Sequence, residues 1–126
     1  MYAGGVAWEI NGTDEFAAWY HSLSSDEQDT LIATVELLAE QGPALGRPRV
    51  DTIKGSEYAN MKELRPHGAG KHLRVLFIFD PRRQAILLTG GNKQGNWVNW
   101  YREAIPRAEQ LYAVYLDDLR SRGTIE

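Results

Sequence analysis

The chain of 126 residues has no cysteine, which excludes disulfides, thiolate metal sites and cysteine nucleophiles and leaves packing to hold the fold. No apolar run approaches the roughly 20 residues of a membrane-spanning helix, and MYAGGVAWEI has no basic segment leading into a long apolar core. The expected compartment is cytoplasmic. Only three histidines are present, His21, His67 and His72, and His67 and His72 are not spaced as zinc ligands are. The most informative absence is of charge of one sign: residues 1–46 hold eight acids and no lysine or arginine. Residues 47–107 reverse this with twelve bases and five acids, so the net charge of −3 conceals a basic middle on an acidic frame. An anion responds to the field within a Debye length, not to the whole-protein charge, and such a middle suits RNA or phosphate. The length fits one domain over residues 1–126.

Residues 6–10, VAWEI, alternate apolar and polar side chains between Gly4-Gly5 and Asn11-Gly12, predicting a first strand. Thr13 is placed to cap a helix from Asp14 to His21, with Phe16, Trp19 and Tyr20 on one side. Ser25 and Gln28 read as a capping box opening a second helix through about Glu40, stopped by Gly42-Pro43. Leu31, Val35 and Leu38 line one face of it, so an αα-hairpin, apolar inside and acidic outside, is predicted to cover one face of a sheet.

Residues 44–55 read as a connector. Three strands follow, Tyr58 to Arg65, His72 to Asp80 and Gln84 to Gly91, forming two adjacent hairpins, and the apolar run at 75–79 predicts cover on both faces. Asn96 is predicted to cap a short helix bearing Trp97, Trp100 and Tyr101. Pro106 is predicted to begin another, striped with Ala108, Leu111, Tyr112, Tyr115 and Leu119. The order β, α, α, β, β, β, α defines an α+β fold: an N-terminal strand and αα-hairpin, then a mostly antiparallel sheet and C-terminal helices.

The stretch KELRPHGAGKHLRVLFIFD, residues 62–80, crowds basic and histidine side chains beside the most apolar strand. Alternation puts Glu63 and Arg65 on one face with Leu64 on the other; Leu73, Val75, Phe77 and Phe79 share a face while His72 and Arg74 lie opposite. Arg65 and Arg74 then stand on the two legs of one hairpin, with His67, Lys71 and His72 nearby and Lys93 leaving the next strand after Gly90-Gly91. Clustered Arg and Lys suit the phosphorane-like transition state of phosphoryl chemistry, whose oxygens gain negative charge. RNA cleavage also requires the 2′-OH deprotonated and the 5′-oxygen protonated, roles open to a His or to a Lys of depressed pKa. Each residue also has an ordinary alternative: the arginines paired with an acid such as Glu63, and His67 and Lys93 as exposed loop residues. The aromatics Trp97, Trp100 and Tyr101 fit core packing or base stacking.

KELR (62–65), HLRVLFIFD (72–80), ILLTGGNK (86–93) and WYREAIPRAEQLYAVYL (100–116) together resemble the RelE/ParE superfamily of toxins, in particular the HigB-like branch of phage-derived host-inhibition proteins from type II toxin–antitoxin systems. The likeness runs from about Gly46 to Leu116. It implies a small α+β toxin without metal or organic cofactor: a ribosome-dependent mRNA endoribonuclease working by metal-independent attack of the RNA 2′-OH. It also implies a cognate antitoxin, of the helix-turn-helix DNA-binding kind, as partner. By motif, Arg65, Arg74 and Lys93 take the catalytic places, while Lys62, Lys71, His72 and His67 are expected to bind RNA. The chain departs from the pattern at Gln94, where many relatives carry a second lysine, and at Pro106. The C-terminal catalytic tyrosine of some relatives has no clear counterpart, Tyr101 being a substitute. The superfamily also holds gyrase inhibitors, so a non-cutting inhibitor or a non-toxic antitoxin-binding member are the alternative readings.

Overall fold

Thr13 and Ser24 fix where the first two helices begin. Thr13 Oγ1 accepts the Phe16 N–H at 3.0 Å and donates to the Leu88 carbonyl at 2.6 Å, so the cap also fastens helix α1 (Asp14–His21) to the sheet. The capping box of α2 (Ser25–Gln41) is formed by Ser24 and Glu27, one residue before the expected Ser25–Gln28 pair. Ser24 Oγ accepts the Glu27 N–H at 3.2 Å, and Glu27 Oε1 accepts the Ser24 N–H at 2.9 Å. A carboxylate at the third position also meets the positive end of the helix, which an amide does not.

The computed structural model describes residues 7–80, 82–94 and 97–123, without the Trp97 side chain. Five strands, β1 (Glu9–Gly12), β2 (Val50–Thr52), β3 (Met61–Leu64), β4 (Leu73–Asp80) and β5 (Gln84–Asn92), form one sheet in the order β1-β5-β4-β3-β2. β1 runs parallel to β5 and the other pairs are antiparallel. The α+β order read from the sequence is therefore observed, with three adjustments. The first strand lies later than residues 6–10, of which Val6 is outside the described residues. The strand expected from Tyr58 narrows to Met61–Leu64. The expected connector contains β2, which three residues are too few to announce by periodicity.

Alternation divides the core as expected. Leu64, Val75, Phe77, Phe79 and Leu87 pack under α1 and α2 with Leu31 and Leu38. Met61, Leu76, Ile78, Ile86 and Leu88 pack on the other face under helix α3 (Trp97–Ser121), against Ala108 and Tyr112. Leu76, Phe77 and Ile78 are at most 1% exposed, so β4 is covered on both sides. Each such side chain contributes about 1.5–3 kcal/mol on burial.

α3 is one helix, not two. Pro106 lies inside it and forfeits the hydrogen bond that its missing N–H would make, an interior placement costing about 3 kcal/mol. The apolar stripe continues in phase across the proline, Tyr101, Ala104 and Ile105 before it, Ala108, Leu111 and Tyr112 after it, and packing of this stripe on the sheet offsets the loss. The Asn96 cap lies outside the described residues. Among the described residues no helix is long and apolar enough to cross a membrane.

Gly90 and Gly91 let both helical layers approach β5. A Cβ on Gly90 would stand 2.3 Å from Trp19 of α1, and one on Gly91 2.0 Å from Trp100 Nε1 of α3. Alanine at either position is expected to destabilise the protein by about 1–3 kcal/mol through overpacking, measured by urea unfolding. Unchanged midpoints would show that the tryptophans move aside freely.

Candidate functional site: a cationic cleft around a buried carboxylate

The register of β2, β3 and β4 brings charge to one place. Asp51 pairs with Glu63 across β2 and β3, and Leu64 with Val75 across β3 and β4, so Arg65 and Arg74 follow on adjoining strands just beyond that pair. Glu63 points to the α3 side and is only 3% exposed. A carboxylate there requires partners, because an isolated buried charge costs several kcal/mol.

It has them from three elements. Arg65 Nε and Nη2 both donate to Glu63 Oε2, at 2.9 and 2.6 Å, and Nη2 also reaches Asp51 Oδ2 at 3.1 Å. Tyr101 of α3 donates its hydroxyl to Glu63 Oε1 at 2.5 Å. Arg74 Nε lies 3.8 Å from the same Oε1, an ion pair too long for a hydrogen bond. Arg74 Nη1 is held by the carbonyls of Lys71 and Leu73 at 2.9 and 2.7 Å. Arg74 Nε is thus a buried donor without a hydrogen-bond acceptor, an arrangement costing about 1–3 kcal/mol.

Lys93 leaves the end of β5. Its N–H donates to the His72 carbonyl at 3.0 Å, and its ammonium lies 5.7 Å from the centre of the Tyr101 ring. Together Glu63, Arg65, Lys93, Tyr101, Thr52 and Lys54 line an open cleft of about 370 Å³. Burial, reinforced by the Arg74 charge and opposed by Glu63, lowers the Lys93 pKa. Burial acts against the charge of Arg65 too, but the Glu63 hydrogen bond and the Glu63 and Asp51 charges outweigh it and raise the guanidinium. Tyr101 is pushed up to about 12, by burial first and then by its bond to Glu63.

Of the seven residues expected from the sequence, Arg65, Arg74 and Lys93 come together. His72 adjoins them through its backbone and is half-buried, and exposed Lys71 supplies a carbonyl to Arg74. Lys62 does not line the cleft: alternation turns it away from the Glu63 face, and its ammonium donates to Thr52 Oγ1 of the edge strand at 3.2 Å. His67 does not join either. It is exposed before a short turn at Gly68–Gly70, and Gly70 abuts Thr30 of α2. Asp51 carries no signal in the sequence, because its three-residue strand is too short to show periodicity. Glu63 reads in the sequence as a competing partner of the arginines, and strand parity places it beside Arg65. The stripe running through Trp100, Tyr101 and Ala104 was the available signal that Tyr101 faces the sheet.

The profile of the family described as "Phage derived protein Gp49-like (DUF891)" matches residues 18–113. The chain belongs to this family, and with it to the RelE/HigB type read from its motifs. It is 46% identical over 112 residues to "Putative toxin HigB2" of Mycobacterium tuberculosis, covering 88% of this chain and 55% of that protein. Thus it spans little more than half of that relative. With "Putative toxin HigB3" of the same organism it shares 51% over 92 residues, 73% of this chain and 79% of the relative. Among solved structures, the isolated E. coli RelE toxin superposes with a TM-score of 0.58 at 14% identity, covering 80% of this chain and 98% of its own. A chain of the RelBE2 toxin–antitoxin complex from Mycobacterium tuberculosis gives 0.54 at 15% identity, covering 69% and 99%. At these identities the structures establish the fold.

The Tyr101 environment has a pH signature. Its folded pKa, about 12, exceeds the ordinary 10.0, so the folded state holds the proton longer. The stabilisation is complete below about pH 10 and is lost as pH rises through the folded value. Ultraviolet titration of the folded protein is expected to show a tyrosine ionising near pH 12 that disappears in Tyr101→Phe. An unchanged titration curve in that variant would refute the assignment.

Proposed function

We propose that this protein is the toxin of a toxin–antitoxin pair and acts as a ribosome-dependent endoribonuclease on messenger RNA. The observation that carries this reading is the convergence of Arg65, Arg74 and Lys93 on the Glu63–Tyr101 pair beside one cleft. In the proposed reaction the substrate's 2′-oxygen attacks the adjacent phosphorus while its proton leaves. The bond from phosphorus to the 5′-oxygen then breaks, and that oxygen takes a proton. The products end in a 2′,3′-cyclic phosphate and a 5′-hydroxyl. Arg65 and Arg74 stabilise the charge gathering on the phosphoryl oxygens. Lys93 is the proton-transfer group, since burial and the adjacent arginine favour its neutral form relative to a free lysine. Glu63 and Tyr101 position Arg65 so that little reorganisation accompanies the reaction. Lys71 and His72, at the mouth of the hairpin, bind the flanking RNA backbone.

The partner in this reading is an antitoxin carrying a helix-turn-helix DNA-binding fold. An antitoxin partner is supported by the toxin names of the two curated relatives and by the toxin–antitoxin complexes among structures of this fold, while its helix-turn-helix character is what the motif resemblance implies. Any contact with DNA is made through that partner.

Purified protein added to translating ribosomes with a short message is expected to yield fragments ending in 2′,3′-cyclic phosphate. Arg74→Ala and Lys93→Ala are each expected to slow cleavage by about 10²-fold or more while the urea midpoint shows the fold retained. Arrest of translation with intact messages would replace this reading with a non-cutting inhibitor. Undiminished cutting by an Arg65, Arg74, Lys93 triple alanine variant would displace the chemistry from this cleft.

A further inference from the structure

The loop over residues 53–60, between β2 and β3, supplies one wall of the cationic cleft, yet little of it is buried. Ile53 is 8% exposed and donates its N–H to the Met61 carbonyl at 3.0 Å, whereas Lys54, Gly55, Glu57, Ala59 and Asn60 are all exposed. Gly55, at φ +88°, turns the chain in a conformation that residues with a side chain rarely adopt. A segment with so few apolar contacts takes its position from specific hydrogen bonds.

Those bonds come from a helix residue outside the cleft. Glu109 of α3 accepts both the Ser56 hydroxyl, at 2.9 Å, and the Glu57 N–H, at 2.7 Å, on the same oxygen, Oε2. Ser56 Oγ in turn accepts the Tyr58 N–H at 3.1 Å. Two other contacts hold the returning leg: Tyr58 meets Tyr112 edge-on at 5.0 Å, and Asn60 Nδ2 donates to the Phe79 carbonyl at 3.0 Å. Glu109 fastens the segment just past Lys54. It also stands one turn beyond Ile105 and two beyond Tyr101, the α3 residues that line the cleft, so its bonds tie the Thr52–Lys54 wall to the wall that α3 supplies.

The cation placed in this way is one that the carboxylate network leaves uncommitted. Arg65 is bound to Glu63 and Asp51, and Arg74 to Glu63 and two carbonyls. Lys54 has no ion-pair partner among the described residues, so its charge is available to an anion in the cleft. We propose that Glu109 is a positioning residue for RNA: by holding residues 56 and 57 on α3 it fixes Lys54 in the cleft wall, where the ammonium meets a phosphate next to the scissile one. A loop already ordered on folding loses little further entropy when RNA binds, so its lysine contributes more than one on a free loop. The inference rests on the reading that this cleft binds RNA.

The test measures binding without cleavage, by fluorescence anisotropy of a single-stranded hexaribonucleotide methylated at every 2′-oxygen and titrated with the full chain. Lys54→Ala is expected to weaken binding roughly threefold and to reduce the log–log salt slope by about 0.7. Glu109→Ala is expected to weaken it to a similar extent in the parent chain and not at all once Lys54 is alanine. Glu109→Gln, whose amide oxygen can accept both bonds, is expected to restore affinity. Hydrogen exchange at the Glu57 amide is expected to quicken in Glu109→Ala and not in Glu109→Gln, with unfolding midpoints confirming that each variant folds. Additive losses from Lys54→Ala and Glu109→Ala would overturn the proposal, as would a Glu109→Gln variant as weak as the alanine. If Arg65→Ala and Arg74→Ala weaken binding while Glu109→Ala does not, the role of Glu109 fails and the RNA reading stands. If the parent chain binds no oligonucleotide, the RNA reading of the cleft fails and this inference with it.

Discussion

A carboxylate that is almost fully buried must be matched by partners, and the Glu63 side chain draws them from three separate elements: hydrogen bonds from Arg65 at the end of β3 and Tyr101 on α3, and the charge of Arg74 on β4 at ion-pair distance. Removing any partner leaves a charge or a polar group uncompensated in a region of low dielectric, so the elements are constrained together. The same constraint fixes the cations in space. Arg65 cannot swing into solvent without abandoning two hydrogen bonds to Glu63 and one to Asp51. The network that stabilises the fold thus also orders the cations of the cleft, and Arg74 Nε, buried without an acceptor, is where that network is incomplete.

The sheet separates two electrostatic surfaces. On one side α1 and α2 present seven acids and no lysine or arginine; on the other the cleft gathers Lys54, Arg65 and Lys93, with Arg74 paired to Glu63 beside it. Gly90 and Gly91 let a tryptophan from each layer press onto β5, so the faces stay close and rigidly related without sharing charge. A chain with a net charge of −3 thereby holds a local field suited to anions on one face and a field suited to cations on the other.

Much of this was legible in the sequence where the signal was local. The Thr13 cap, the apolar face of α2, the two hairpins and the two-sided burial of β4 follow from capping chemistry and periodicity. The likeness of KELR, HLRVLFIFD and ILLTGGNK to known toxins led to Arg65, Arg74 and Lys93. What escaped depended on tertiary pairing. β2 has three residues and exists because β3 lies beside it, and without β2 the contribution of Asp51 is invisible. Pro106 suits a first turn and so reads as a helix start, but the apolar stripe passing through it in phase is the stronger indication of one helix. Lys62 and His67 are close to the arginines in sequence, but strand parity and the path of the loop carry them away.

Glu63 couples the cleft into a unit, and a double-mutant cycle on stability measures that coupling directly. Glu63→Gln, Arg65→Ala and the double variant, unfolded in urea beside the parent chain, are predicted by this account to be non-additive, with a coupling energy of about 1.5–3 kcal/mol. Additive losses, within a few tenths of a kcal/mol, would show that Glu63 and Arg65 act separately and would contradict it.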